Sequence, residues 1–457
     1  MAGIKAITGK AVTEIADEVG ISRQSVYNYK AKAIQHINAL DKIVPTEPTI
    51  TLDKVMVEKI IVVLSLCCQS SGLGIQDFFE HICGMKVSAG RISGVLKEAS
   101  KRAQAFDDGI DLSGINQMAI DEIFQCGKPI LTGIDPISMY TFQLEESSDR
   151  SSESWALYLS DKQDKGLNPE VSINDGGLGL MSAIPQVFPN AEIQADTFHA
   201  LYALGKEVSK MERKANKLIA NEQELNLKLE GKRPKEKHKA SLEELRPKVL
   251  EAIDIYDKVF ILYSWLKMLL SFSGYSLIDS HILAEWVLQE MDILAVNSPL
   301  LQKEITKVRK ILPSLLSFVG RLERGIEVIA CKTGVSAETY KLMYQQMSHS
   351  SDNSISIEAR CKLAMELQGK YLEAQNELQK LLDYTKKASS LVENLNGRIR
   401  VYIEVKRIIP TDFFVLLKVY FNTRRYKRSR CRARIRKSPL ELLTNRTQPD
   451  FLEALGF

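Results

Sequence analysis

The chain has 457 residues, 45% of them apolar and 26% charged, which excludes a disordered polyelectrolyte and predicts a globular protein of three or four domains. A formal net charge of +4 is too small to signal nucleic acid by itself, so that case must rest on where the basic residues cluster. Seven cysteines without a Cys-x-x-Cys pair exclude a zinc finger and a disulfide framework and suit a reducing compartment. The longest apolar run, Ile60 to Cys68, is far short of a membrane span, and no signal peptide is recognisable. A soluble, cytoplasmic chain with no membrane partner is expected.

Residues 11 to 36 carry a helix-turn-helix pattern. Val12, Ile15, Ala16 and Val19 line one helix, Gly20-Ile21 turns, and Ser22 is placed to cap Arg23 to Gln35. Arg23, Gln24, Ser25, Tyr27 and Asn28 then project from the second helix. Such side chains reach base edges and phosphates when a helix enters the major groove; a helical hairpin for protein contact is the plainer alternative. A second unit, Leu52 to Ala105, repeats the logic with Ser88 as cap and Arg91, Ser93 and Lys97 outward. There, packing is nearly as good a reading as DNA contact.

Ile115 to Phe124 is an apolar, strand-like run with Asp121 near its middle. A carboxylate among Ala119, Ile120, Ile123 and Phe124 is costly to bury, on the order of several kcal/mol, unless a cation compensates it. Lys128 to Gly133 and Tyr140 to Leu144 read as two further strands, separated by the turn signal Asp135-Pro-Ile-Ser138. A helix over Glu153 to Leu159, a strand from Pro169 ending on Asp175, a helix over Leu178 to Val187 and a fifth strand through Ala191 to His199 follow. The order is β-β-β-α-β-α-β.

That order, with acids on the first strand and at the end of the fourth, resembles the ribonuclease H-like core of the DDE transposases and retroviral-type integrases. The resemblance covers roughly residues 113 to 200 and requires a third acid on a later helix. The segment Ala388 to Arg400 looks like the glutamate helix of bacterial insertion-sequence transposases, with Glu393 as the acid. Leu391, Leu395 and Ile399 form one apolar stripe, and Glu393, Asn396, Gly397 and Arg400 share another face. Gly397 leaves room for a backbone to approach. The resemblance makes Asp121, Asp175 and Glu393 the ligands of two Mg²⁺ (or Mn²⁺) ions, which in such sites lie roughly 3.5 to 4 Å apart and serve an in-line displacement at phosphorus. Asp196-Thr-Phe-His199 matches a signature of the Mutator-like and hAT-like branches, in which the histidine lies near the scissile phosphate. Each residue has a plainer reading alone: Asp121 as a solvent-facing edge acid, Asp175 as an Asp-Gly turn, Glu393 as an exposed helix glutamate, His199 as a core histidine.

From His199 to Glu393 the composition is helical. Ala200 to Leu229 and Ala240 to Asp254 look like the arms of an antiparallel hairpin with a basic tip, Gly231 to Lys239. Val259 to Phe272, Ile278 to Leu294, Leu301 to Val328 and Ser356 to Tyr384 supply further helices. By resemblance this is a helical insertion that shapes a DNA channel; Trp265 or Trp286 could stack on an unpaired base, although core packing is the commoner fate of tryptophan. Finally, Arg424 to Lys437 holds nine basic residues in fourteen. With no nearby acid in sequence, Arg424, Arg425, Lys427, Arg428, Arg430, Arg432, Arg434 and Arg436 are expected to meet phosphates, and Asn396 and Arg400 to join them. Glu441 competes with Glu393 as third acid, but Ser438 and Pro439 give it an ordinary helix-capping role.

The expected architecture is therefore α+β and mostly helical. It has a helix-turn-helix domain over 1–45, a second helical domain over 50–112, a ribonuclease H-like core over 113–200 and 386–457, and an all-helical insertion over 201–385. The implied activity is metal-dependent cleavage and transfer of DNA strands by a transposase that binds element ends and target DNA as a homo-oligomer, nucleoid-associated in a bacterium. A non-catalytic DNA-binding protein derived from such an element is the alternative, and a structure-specific nuclease a third.

Overall fold

A computed structural model describes residues 2–41, 52–231, 236–271, 276–348, 354–387, 390–429 and 431–457. Helix accounts for 71% of the chain, and the strands form one small mixed sheet, so the class is α+β. Two compact units, residues 1–60 and 61–457, are distinguishable. No helix among the described residues is long and apolar enough to cross a membrane.

The first unit opens with α1 (Ala2–Ile7), α2 (Val12–Val19) and α3 (Arg23–Asp41). Ala2, Ala6, Ile15, Ala16 and Val26 form its small core, with Val12 and Ile21 packed against it. Gly20 ends α2 at φ 70°, a conformation that costs a side-chain-bearing residue more than glycine. Ser22 Oγ accepts the Ser25 N–H at 3.1 Å, as the spacing predicts. Val19, expected on the apolar face, is instead exposed, because the turn at Gly20 leads the chain away before that face is covered.

The second unit begins within α4 (Lys54–Leu66) and continues through α5 (Gly72–Cys83) and α6 (Ala89–Asp108). Ser88 caps α6 by accepting the Arg91 N–H at 3.2 Å. Then come β1 (Gln117–Gln125), β2 (Lys128–Ile134), β3 (Thr141–Glu146), α7 (Ser152–Asp164), β4 (Val171–Asn174), α8 (Leu178–Val187) and β5 (Glu192–Ala195). The spatial order is β3-β2-β1-β4-β5. β1–β2 and β2–β3 are antiparallel, β1–β4 and β4–β5 parallel.

Both sheet faces are covered, which explains why β1 is apolar almost throughout. Ala119 and Ile123 face a core completed by α17 (Ser390–Lys406) and α18 (Thr411–Thr423). Met118 and Ile120 point the other way, into a core with Trp155, Leu159, Leu180 and Ile184 from α7 and α8. Residue parity thus sends Asp121 toward α17 and Glu122 toward α7 and α8.

The fifth strand stops four residues earlier than its sequence suggests. Asp196 caps the next helix through the Phe198 N–H at 2.7 Å, so Thr197, Phe198 and His199 open α9 (Thr197–Glu230) rather than extending β5. α9 packs along α10 (Glu236–Leu269), the expected hairpin; residues 232–235 of its tip lie outside the described residues. Two helices expected there, Ala240 to Asp254 and Val259 to Phe272, are one, because α10 runs on through residues 255–258 without a break.

α11 (Leu277–Leu294) follows, then α12 (Pro299–Leu315) and α13 (Ser317–Thr333), which break at Leu316 where one continuous helix is predicted. α14 (Ala337–Ser348) is an additional helix; α15 (Ser354–Leu367) and α16 (Tyr371–Tyr384) are separated by a short 3₁₀ turn. This region is tied to the edge of the sheet. Ser314 Oγ accepts the Ala195 N–H at 2.8 Å and donates to the Ile193 carbonyl at 2.7 Å, which covers backbone groups that an open edge strand would leave unpaired. α19 (Pro439–Thr444) and α20 (Phe451–Ala454) close the chain.

Candidate active site

The parallel register places two acids side by side. Ala119 of β1 pairs with Ile173 of β4, and two residues beyond on each strand stand Asp121 and Asp175. On the next strand Asn174 pairs with Ala195, and Asp196 follows immediately. Asp121 in the middle of β1, just past its parallel pairing with β4, and Asp175 and Asp196 just past the ends of β4 and β5 therefore lie at one end of the parallel ladders, on the side where open α/β sheets form their binding crevices.

Asp121 is 7% exposed. Its Oδ1 accepts the Glu122 N–H at 2.8 Å, and its Oδ2 accepts a hydrogen bond at 2.7 Å from Nδ2 of Asn396, 275 residues away on α17. Burial pushes the Asp121 carboxyl up to about 7; the carboxylates of Asp175 and Glu393 push the same way, against the Glu122 N–H and the charge of His199. Asp175 is exposed, and its Oδ1 accepts the Gly177 N–H at 3.0 Å across a turn in which Gly176 has φ +84°. The plain turn role therefore holds beside any other.

His199 stands between two carboxylates. Nδ1 is 2.7 Å from Asp196 Oδ2, and Nε2 is 3.2 Å from Glu393 Oε1. The hydrogen bond to Asp196 raises His199 to about 9; burial opposes the rise, and the charges of Asp196, Asp121 and Glu393 add to it. At neutral pH both ring nitrogens therefore carry protons. Arg400 Nη1 lies 3.8 Å from Glu393 Oε2 on the open side of α17.

Asp121, Asp175, Glu393 and His199 thus share one electrostatic neighbourhood. Among the described residues, however, no three His, Cys, Asp or Glu side chains stand where one metal ion could be held. Both Asp121 oxygens are engaged by protein donors and Glu393 is engaged by His199. The donor set itself fits a hard divalent cation: all three acids offer oxygen, and the buried one is pushed up by burial and by two like charges.

The helix carrying Glu393 departs from its predicted pattern in three ways. Its buried stripe is Val392, Leu395, Asn396, Ile399 and Tyr402, with Leu391 half-buried at its margin. Asn396, expected among the DNA contacts, is fully buried against Asp121 and has no surface to offer a nucleic acid. Among the described residues, nothing outside its own helix backbone comes within 4 Å of a Cβ built on Gly397, so none of their backbone approaches there. Residues 388 and 389 lie outside the described residues.

Glu122 was not singled out by sequence. Its Oε1 is 3.2 Å from Arg150 Nη1, while Oε2 is buried and has no hydrogen-bond partner among the described residues. Burial and Asp175 raise its carboxyl. The alternation along β1, which puts any residue after Asp121 on the opposite face, was the available signal.

The other expected contacts are dispersed. On α3, Arg23, Gln24, Tyr27 and Asn28 are exposed and Ser25 is half-buried; Arg91 is exposed on α6. In the basic segment Arg424, Arg425, Lys427, Arg428, Arg432 and Arg436 are exposed, Arg434 is half-buried with Nη2 3.2 Å from the Ile137 carbonyl, and Arg430 lies outside the described residues. The segment does have an acid: Arg425 Nη2 is 2.8 Å from Glu441 Oε1. Glu441 also completes the capping box of α19 with Ser438. The Arg425 hydrogen bond, with the backbone N–H groups of Ser438 and Gln448, holds the Glu441 carboxyl down at about 2 against burial. Engaged on every side, Glu441 is no rival to Glu393. Compared with known proteins, the chain matches no protein-family model and no curated protein.

Proposed function

We propose that this protein is a DNA transposase whose second unit contains a ribonuclease H-like catalytic core interrupted by a helical insertion. The observation that carries the reading is the gathering of Asp121, Asp175, His199 and Glu393, from four separate elements, around a carboxyl that ionises only near neutral pH. The sheet order β3-β2-β1-β4-β5, with β2 antiparallel to β1, supports it. So does the arrangement of α2, Gly20 and α3 with Arg23, Gln24, Tyr27 and Asn28 exposed, which suits the reading that α3 is the helix offered to double-stranded DNA.

Asp121, Asp175 and Glu393 are the residues that would hold Mg²⁺ or Mn²⁺, whose chemistry when bound is activation of the attacking oxygen and stabilisation of the leaving one. Asn396 fixes the rotamer of Asp121 by its hydrogen bond. Asp196 anchors Nδ1 of His199 and so directs Nε2, with its proton, toward Glu393; a phosphate oxygen entering beside Glu393 would meet that N–H as a donor. The exposed cations of the 424–437 segment supply charge for the DNA backbone. Action as a homo-oligomer on DNA, with element ends and target as substrates, belongs to the same reading.

One observation favours a second reading, a non-catalytic DNA-binding protein derived from such an element: no three of these side chains stand in ligating position. A cleavage and strand-transfer assay in Mg²⁺, on DNA selected by the protein from a genomic pool, separates the two. Nicking and joining by the wild type, lost in Asp121→Asn, supports the enzyme. Retention of selected DNA with neither reaction, in Mg²⁺ or Mn²⁺, supports the binding module.

A further inference from the structure

Helices α10 and α11 pack against each other and bury Val259, Leu262, Leu266, Ala284, Val287 and Leu288 in the helical core. Their other sides are apolar as well. Ile261, Trp265 and Met268 recur at helical spacing on α10, and Ile278, Ile282 and Trp286 on α11. All six are between 43% and 72% exposed. The two indole rings stack across the helix pair, centroids 6.2 Å apart and 24° from coplanar, so the two stripes form one continuous patch. Isolated exposed apolar residues are ordinary, but a contiguous patch with two tryptophans at its centre marks an interaction surface.

We infer that this face pairs with the same face of a second copy of the chain, forming a homodimer through the helical region. Area supports that occupant. At about 200 Å² for a large side chain, exposures of this size leave on the order of 600 Å² of apolar surface on one copy. Two copies face to face would bury about 1,200 Å², the lower bound for a specific protein–protein interface. The border argues against a phosphate backbone, because α11 flanks the patch with Glu285, Glu290 and Asp292. Arg309 lies 2.7 Å from Glu285 and 3.6 Å from Asp292. On the α11 side the rim is thus acidic to neutral where a nucleic-acid site would be basic, and on α10 Lys258 is paired with Asp254 at 2.6 Å; an apolar centre within a polar, paired rim is the anatomy of a protein interface.

The inference rests on α10 to α12 alone, independent of the carboxylate site. Analytical ultracentrifugation of the full chain over a concentration series without DNA is the test, with tryptophan emission followed in parallel. The third tryptophan, Trp155, is buried in the sheet core and contributes a constant signal. A reversible dimer, with emission shifting to the blue as it forms, is expected. Trp265→Glu combined with Ile282→Glu should move the dissociation constant at least about tenfold toward monomer. Ile278→Lys, at the most exposed of the six positions, should weaken it in the same direction with native circular dichroism retained. A wild type that stays monomeric at every concentration, a dimer indifferent to all of these substitutions, or a monomer whose tryptophans are quenched by single-stranded DNA would each overturn the inference.

Discussion

Two groups of buried charges lie on this sheet and are treated in opposite ways. Beyond β3, Lys418 Nζ lies 2.8 Å from Asp107 Oδ2 and 3.9 Å from Glu145 Oε1, and Lys162 Nζ lies 2.8 Å from both Glu145 and Asp161. Every buried charge there has an opposite charge in contact. In the middle of β1, beside the end of β4, by contrast, Asp121 has Asn396 and a backbone N–H as partners and two further carboxylates nearby. The nearby cation, His199, is bound up with Asp196 and Glu393. Buried charge that is balanced holds a fold together; acids left in excess are retained at a cost to stability, which points to a ligand of opposite sign.

The largest expected contrast is in activity. Asp121→Asn and Glu393→Gln should each reduce DNA cleavage to background while DNA affinity, which the proposed function assigns to α2–α3 and the basic segment, stays nearly unchanged in a filter-binding or polarisation assay. Lys418→Met should leave the carboxylate site intact but destabilise the fold by up to about 3–5 kcal/mol in denaturant titration, because it leaves buried Asp107 with only the longer contact to Lys165, 3.8 Å away. Equal stability losses for Lys418→Met and Asp121→Asn would erase the distinction.

The pH dependence of stability sharpens it further. Asp121 has its native pKa raised from 3.8 to about 7. Its contribution is therefore fully present below 3.8 and lost as pH rises through about 7. His199, raised from 6.5 to about 9, contributes below 6.5 and loses that contribution as pH rises through about 9. Asp121→Asn should flatten the decline between about pH 4 and 7, worth up to about 4 kcal/mol, and His199→Gln the decline between about 6.5 and 9. Melting temperatures across pH 4 to 10 check both. The smallest effect is expected at the exposed side of the basic segment: Arg425→Ala, which removes a partly exposed pair with Glu441, should cost no more than about 1 kcal/mol. Neutralising Arg428 or Arg432 should weaken DNA binding evenly across sequences and lower its salt dependence by about one unit for each phosphate no longer neutralised.

Much of the sheet was legible because β1, β2 and β3 are apolar runs broken by turn residues, and because Asp121 and Asp175 interrupt that pattern. What was illegible depended on partners distant in sequence. Asn396 reads as a polar residue on an exposed face, and only α17 lying across β1 turns it inward to Asp121. Arg425 reads as an unbalanced cation until α19 brings Glu441 back to it. The end of β5 misled for a local reason: Asp196 is equally at home as the last residue of a strand and the cap of a helix, and capping prevailed. The extents of α10 and α12 failed where no glycine or proline marks the outcome: α10 continues through residues 255–258, and α12 stops at Leu316 without a glycine.

Mn²⁺ binding to the DNA-free protein, followed by electron paramagnetic resonance as free ion disappears on titration, addresses the surplus of carboxylates most directly. The wild type should bind the ion above about pH 7, with binding weakened strongly by Asp121→Asn and by Glu393→Gln and unaltered by Glu145→Gln in the balanced group. Absence of binding by the wild type, or equal binding by Asp121→Asn, would contradict the assignment of Asp121, Asp175 and Glu393 to a common cation.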